Sequence, residues 1–310
     1  MTAIKIIDFT GRDIPLSFAG MTYDLILGDR TFSSWSLRGW LMFEKFNIPC
    51  RTSFAGLYAG TFAQDMAAYA PARLVPAIRT PEGDVLGESL AIAETLAERH
   101  PDAGLWPADS AARQLARWLV CEMHAGFSDL RGECSMQLRG QYQSFAVSDG
   151  VKRDLDRLQE LWTHARSRFG GSGAWLFGDY CLADVFFTPV AARIAGYGLS
   201  VGDEANAYVS ALLEDQAFRR WRAMGGTKTY DPVPYALDLP MSDWPGPKRI
   251  AAKVASKGPS ENQTCPYSGD PVTDFLEIDG RVFGFCNPFC RDKTLPDPEA
   301  WPKFMVIYGS

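Results

Sequence analysis

The chain has 310 residues, of which 46% are apolar and 13% aromatic, and it carries a net charge of −6. That length supports two or three domains and a sizeable core, and the composition excludes a largely disordered chain. The acidic balance argues against nucleic acid as the main partner, and no apolar run reaches the length of a membrane span.

Residues 1–20 read as an arm, with a strand-like piece at 4–9 and a break at 11–15; the alternative is that the protein starts at Met21. No secretory signature precedes the first domain, so the expected location is cytoplasmic. Tyr23 to Leu27 form a compact apolar strand. Helix spacing of Leu37, Trp40 and Leu41 then predicts a helix from about Ser34 to Phe46, opened by the serines Ser33, Ser34 and Ser36. Such a helix start offers free N–H groups and hydroxyls at the positive end of a dipole, where an anion or thiolate can sit. A plain N-cap explains the same serines.

A β-like piece at Cys50 to Phe54 and a small helix at about Phe62 to Tyr69 follow. Leu74 to Ile78 is apolar and contains Pro76, which belongs at a strand start or in a special turn because proline cannot donate within a sheet. Asp84 to Leu86 reads as a strand. Ser89 reads as the N-cap of a helix that ends at His100-Pro101.

This order of elements, with Ser33-Ser34-Trp35-Ser36-Leu37-Arg38, Val75-Pro76 and Glu88-Ser89 at the joints, resembles the thioredoxin-like N-terminal domain of glutathione S-transferases. The serine run is similar to the serine-type classes, especially the zeta-like (maleylacetoacetate isomerase-like) bacterial relatives. The resemblance implies that Ser33 or Ser34 activates the glutathione thiol, with Ser33 aligned to the first serine of the paired motif. It implies a cis Val75–Pro76 bond whose backbone pairs with the cysteinyl part of glutathione. It also implies that Glu88 and Ser89 hold the γ-glutamyl end. Arg38 reads as a brace between domains.

Residues 108–230 read as all-helical. Leu115, Leu119, Met123, Phe127 and Leu130 form one i, i+4 stripe, and Leu155, Leu158, Trp162 and Ala165 another. Phe186, Phe187, Val190 and Ile194 belong to a third helix, with two more at 205–213 and 216–224. This agrees with the helical domain of the same family. The run Leu176 to Asp184 resembles that family's capping motif, with Cys181 where Ser or Thr is usual and Asp184 structural. Glu122 to Phe127 and Arg131 resemble a stretch of the bacterial relatives. On one helix, His124, Phe127 and Arg131 would share a side and, with Trp35, line a pocket for the second substrate. The bland alternatives are a satisfied histidine and an ordinary arginine ion pair.

Residues 231–262 read as a Pro-rich linker with a short helix at 250–254 and a solvated basic patch. In the last segment, strands at 275–278 and 281–285 flank Asp279-Gly280, a hairpin turn. That hairpin can gather Cys265, Cys286 and Cys290, whereas the odd total of seven cysteines argues against a disulfide framework. Residues 263–310, with Cys265-Pro266-Tyr267-Ser268-Gly269 and Asp297-Pro298-Glu299, resemble the YHS/TRASH-type metal-binding domain. Three thiolates suit zinc or a softer metal such as copper(I) or mercury, with Asp270, Asp292 or water as a fourth ligand. Three unmetallated thiols are the alternative.

The sequence thus predicts an α/β thioredoxin-like domain at 21–107, an all-α domain at 108–230, and a small α+β Cys-rich hairpin domain at the end. The resemblance implies a homodimeric glutathione transferase, with glutathione as substrate attacking or isomerising a small electrophile, and an appended thiol metal site. The alternative is a metal-binding or metal-sensing protein that keeps the transferase fold with little or no catalysis.

Overall fold

The computed structural model describes residues 6–7, 13–14, 22–227 and 236–310. The alternative start at Met21, most of the arm, and Pro232 and Pro234 of the linker lie outside the described residues.

The first strands, β1 (Ile6–Ile7) and β2 (Asp13–Ile14), pair antiparallel with each other. β3 (Tyr23–Leu27) leads into α1 (Ser34–Glu44), and β4 (Cys50–Phe54) returns parallel to β3. A short helix α2 (Phe62–Met66) follows and tightens into a single 3-10 turn over Ala67–Tyr69. Then come β5 (Ala77–Arg79), β6 (Val85–Leu86) and α3 (Ser89–Arg99). The sheet order is β4-β3-β5-β6, with β5 antiparallel to β3 and to β6. This is the thioredoxin-like arrangement expected. Pro76 stands just before β5 and its bond to Val75 is cis, so it donates nothing where the ladder would need an N–H.

α1 is buried along nearly its whole length because it lies between this sheet and the helical domain. Gly39, mid-helix, marks the contact: a Cβ there would stand 2.6 Å from the Cβ of Pro76. Glycine costs about 1 kcal/mol relative to alanine inside a helix, a cost tolerated here for close approach.

The helical domain contains α4 (Ser110–Ala125), α5 (Ser128–Glu133), a short strand β7 (Gly140–Tyr142), α6 (Asp149–Ala165), α7 (Leu182–Tyr197), α8 (Asp203–Glu214) and α9 (Gln216–Gly225). The single stripe expected through Leu130 is two helices. The chain turns at Gly126 and Phe127, whose φ is +56°, a left-handed conformation that ends α4. α7 is buried on every side, and its sequence is apolar apart from Asp184, Thr188 and Arg193. At its start, Asp184 Oδ2 accepts from Cys181 N at 2.9 Å and Asp184 Oδ1 accepts from Tyr208 Oη at 2.8 Å. Burial pushes this carboxyl up to about 6 despite those bonds. The Cys181 thiol, which burial raises well above its ordinary value, faces the N–H groups of Ala183 and Asp184. A thiol accepts such bonds weakly, so Cys181→Ser is expected to gain about 1 kcal/mol of unfolding free energy in urea denaturation. A loss of stability would show that the site needs the larger, less polar sulfur.

The short helix expected at 250–254 is not formed: β9 (Ala252–Ala255) pairs antiparallel with β10 (Asp274–Ile278), which pairs with β11 (Arg281–Phe285). Upstream, β8 (Met241–Asp243) pairs with β7 of the helical domain. β9 (Ala-Lys-Val-Ala) holds a single β-branched residue and β8 (Met-Ser-Asp) none, so neither has a strand signature apart from its partner, and both pairings are long-range. The Asp279-Gly280 turn is as expected, with φ of +50° and +75°, the left-handed pair that a two-residue hairpin requires.

After the hairpin, α10 (Pro288–Thr294) and α11 (Pro302–Tyr308) close the chain. The aromatic side chains Tyr267, Phe283, Phe285, Trp301 and Phe304 pack together and join the core of the main body through α9. Arg219 of α9 holds the buried Asp297 through two bonds of 2.9 and 2.6 Å, and Arg220 bonds Glu44 of α1 and the carbonyl of Ala300. The segment is therefore anchored by packing, not by sulfur alone.

Candidate functional site

The cleft between the thioredoxin-like and helical domains has a volume of about 790 Å³. It is lined by Ser33, Ser34, Trp35, Val75, Pro76, Glu88, Ser89, Arg131 and Arg193, among others. Three chain turns that lie far apart in sequence thus meet in one place.

Ser33 is the N-cap of α1. Its Oγ accepts from Ser36 N at 3.2 Å and donates to Ser36 Oγ at 2.8 Å, and Ser36 Oγ accepts from Gly28 N at 2.7 Å. The hydroxyl of Ser33 is thereby committed to holding the strand-to-helix turn. Ser34 is differently placed. Its Oγ accepts from Nη2 of Arg193 at 3.3 Å, its hydroxyl donates to no described residue, and the side chain borders the cleft.

Glu88 takes the N-cap position of α3 with φ of +63°, a strained conformation for a residue with a Cβ. Ser89 is the first residue of the helix and not its cap. Its Oγ is buried and makes no hydrogen bond in the protein. A buried hydroxyl without a partner is costly, and here it borders the cleft. The plain-cap reading of Ser89 is thereby removed.

Of the residues expected on the second-substrate side, Trp35 and Arg131 line the cleft. Phe127 is packed in the core, and His124 stands behind Trp35 with ring centroids 5.3 Å apart. The break between α4 and α5 separates the residues that one continuous helix would have aligned. Arg131 Nη1 donates to the carbonyls of His124 and Gly126 at 3.2 and 3.1 Å, fixing that break. His124 Nε2 lies 3.7 Å from Glu88, yet burial and the nearby Arg38 hold its ionisation below the usual histidine value, so the contact involves a neutral ring at neutral pH.

Sequence reading missed Arg193, which sits inside a largely apolar helix with no local sign of a role. Arg38 is buried and lies over the rings of Trp35 and of Phe186 in α7, while its Nε and Nη1 make no hydrogen bond.

The second cluster lies in the last segment. The sulfurs of Cys265, Cys286 and Cys290 all lie within 4.8 Å of one another, with Cys286 and Cys290 3.9 Å apart. Ser268 Oγ and Asn287 Nδ2 donate to Cys286 Sγ at 3.3 and 3.2 Å. Hydrogen bonding between the Cys265 and Cys290 sulfurs makes the Cys265 thiol easier to ionise and the Cys290 thiol harder. Neither Asp270 nor Asp292 joins the cluster, and Asp292 is held by Arg291 at 2.8 Å. Among the described residues no helix is long and apolar enough to cross a membrane.

Residues 32–99 match the family model of the glutathione S-transferase N-terminal domain. No curated protein matches the chain significantly. Among solved structures, glutathione transferase Omega 3C from Trametes versicolor is similar at 19% identity and TM-score 0.51, over 69% of this chain and 91% of that one. A glutathione transferase homolog from Burkholderia with bound glutathione is similar at 21% identity and TM-score 0.49, over 66% of this chain and 97% of that one. A glutathione transferase from Methylococcus capsulatus gives 19% identity and TM-score 0.49, over 66% and 100%. The thioredoxin-like domain followed by helices is thus the glutathione transferase fold.

Proposed function

We propose that the protein is a glutathione transferase of serine type that adds glutathione to, or isomerises with it, a small electrophile. The observation that carries this reading is the buried, unpartnered Ser89 hydroxyl, which borders the same cleft as Ser34, Val75 and Glu88. In this reading Ser89 and the free N–H groups at the start of α3 receive the γ-glutamyl carboxylate, and the Glu88 carboxylate receives the ammonium. The backbone of Val75, set by the cis bond to Pro76, pairs with the cysteinyl residue. Ser34 donates to the sulfur, and Ser33 keeps the helix start in register. The thiolate then attacks an electrophile lying against Trp35 and Arg131. A homodimer is part of the proposal, as for the relatives that the sequence resembles.

The test is calorimetric titration of the full chain with glutathione. Binding is expected, with at least a tenfold loss, about 1.4 kcal/mol, on changing Glu88 and Ser89 together to alanine. Equal affinity for both proteins would remove α3 from the site.

A second reading, metal binding by the thiol cluster with or without catalysis, is favoured by the convergence of three sulfurs. The set fits a thiophilic ion: Cys265, Cys286 and Cys290 would hold it, and Cys286 is partly accessible for its entry. Such an ion would lock the hairpin to α10. The aromatic packing beneath keeps the segment folded independently of it.

A further inference from the structure

Arg193 of α7 and Arg131 of α5 border the serine end of the cleft, and Arg38 of α1 lies buried next to it against Trp35. Arg193 is only 5% exposed, and its guanidinium reaches the Cys134 carbonyl at 2.9 Å and the Pro189 carbonyl at 3.1 Å as well as Ser34 Oγ at 3.3 Å. The Arg38 guanidinium lies 4.5 Å from the ring centre of Trp35, and that of Arg131 lies 5.0 Å from it. Arg38 is 1% exposed and keeps two nitrogens without hydrogen bonds. The charges that bear on it are Arg193 and Arg131, both of its own sign. The rings of Trp35 and Phe186, the latter 5.0 Å away, face the Arg38 cation, but no carboxylate among the described residues does, and a buried cation without an anionic partner is unfavourable. Among the described residues Glu88 is the one acidic side chain bordering the cleft, but it is largely exposed and stands beside His124, which is neutral at neutral pH.

Resting on the glutathione reading above, we propose that this guanidinium cluster is the counter-charge of the glutathione sulfur, with Arg193 the positioning residue that turns Ser34 toward it. Accepting from Arg193, the Ser34 oxygen presents its hydrogen to the sulfur. Arg38 and Arg131 add positive potential through a poorly hydrated region, where it is weakly screened. On binding, the S–H bond breaks heterolytically, the electron pair stays on sulfur, and the proton leaves to bulk water. The site therefore spends native stability on an unpaired charge and recovers it when the thiolate arrives.

The experiment follows the ultraviolet absorbance of bound thiolate against pH in wild type, Arg193→Met, Arg193→Lys and Arg38→Met. S-methylglutathione, which has no ionisable sulfur, is titrated in parallel. The bound thiol of wild type is expected to ionise at least about one pH unit below free glutathione. Arg193→Met and Arg38→Met are expected to raise that value by about one unit, with unchanged affinity for S-methylglutathione, and Arg193→Lys to restore part of it. Arg38→Met is also expected to melt higher than wild type, because it removes an uncompensated charge while keeping the volume. That variant decides the matter if Arg193→Met fails to fold. An unchanged thiol titration in folded Arg38→Met overturns the proposal while leaving the glutathione reading intact. Failure of wild type to bind S-methylglutathione overturns both.

Discussion

Ser34→Ala is expected to lower kcat/KM for glutathione conjugation by about a hundredfold, with little change in affinity for S-methylglutathione. Loss of a donor aimed at developing or settled negative charge in a water-poor site has an effect of that order. The geometry separates Ser34 from its neighbour. Ser33 donates to Ser36 inside the helix cap, whereas Ser34 only accepts, from Arg193. Ser33→Ala should therefore act mainly through stability, at about 1 kcal/mol for a lost cap, with kcat falling less. Steady-state kinetics on both variants, with an electrophile on which the wild type is competent, checks the assignment. Equal turnover of wild type and Ser34→Ala would transfer the role to Ser33, the serine that the motif alignment favours.

Cys290→Ser is expected to weaken binding of a thiophilic metal by about a hundredfold or more, since the loss of even a supporting group outside the ligands costs ten- to a hundredfold. Elemental analysis of wild type should find one ion per chain, and the variant after dialysis close to none. The fold should survive. Trp301 and Phe304 are buried, Phe304 stacks on Phe285 of the hairpin, and the Arg219–Asp297 pair ties the segment to α9. A wild type that retains no metal in the presence of a competing thiol would leave three reduced thiols on a structural hairpin.

The two sites are joined by one element. Arg219 and Arg220 of α9 grip the last segment. Further along the helix, Trp221 Nε1 donates to the Arg30 carbonyl at 2.7 Å, and the Gly225 carbonyl accepts from Thr31 Oγ1 at 3.0 Å. Residues 30 and 31 belong to the turn that presents Ser33 and Ser34. The appended segment is thus packed on the support of the serine turn.

Local chemistry made much of this protein legible. A serine before an apolar 3.6-residue period locates α1, Asp279-Gly280 locates the hairpin, and a proline at the head of an apolar run locates the entry to β5. Each of these is a backbone requirement met within a few residues. The resemblance to glutathione S-transferases, carried by the motifs at these joints, implied Ser33, Ser34, Val75, Pro76, Glu88 and Ser89 as candidates, and all six border one cleft. Tertiary structure decided what has no local signature. β9 exists because β10 offers it a ladder, and β8 because β7 does. The break at Phe127 puts His124 and Arg131 on two helices that meet again at Trp35. Arg193 reaches Ser34 across 159 residues of sequence, from a helix whose neighbours are all apolar. A charge in such a helix reads as an anomaly until the fold brings it to the hydroxyl it holds. Whether a serine caps a helix or offers its hydrogen to a ligand depends on the atom opposite it, and that atom comes from elsewhere in the chain.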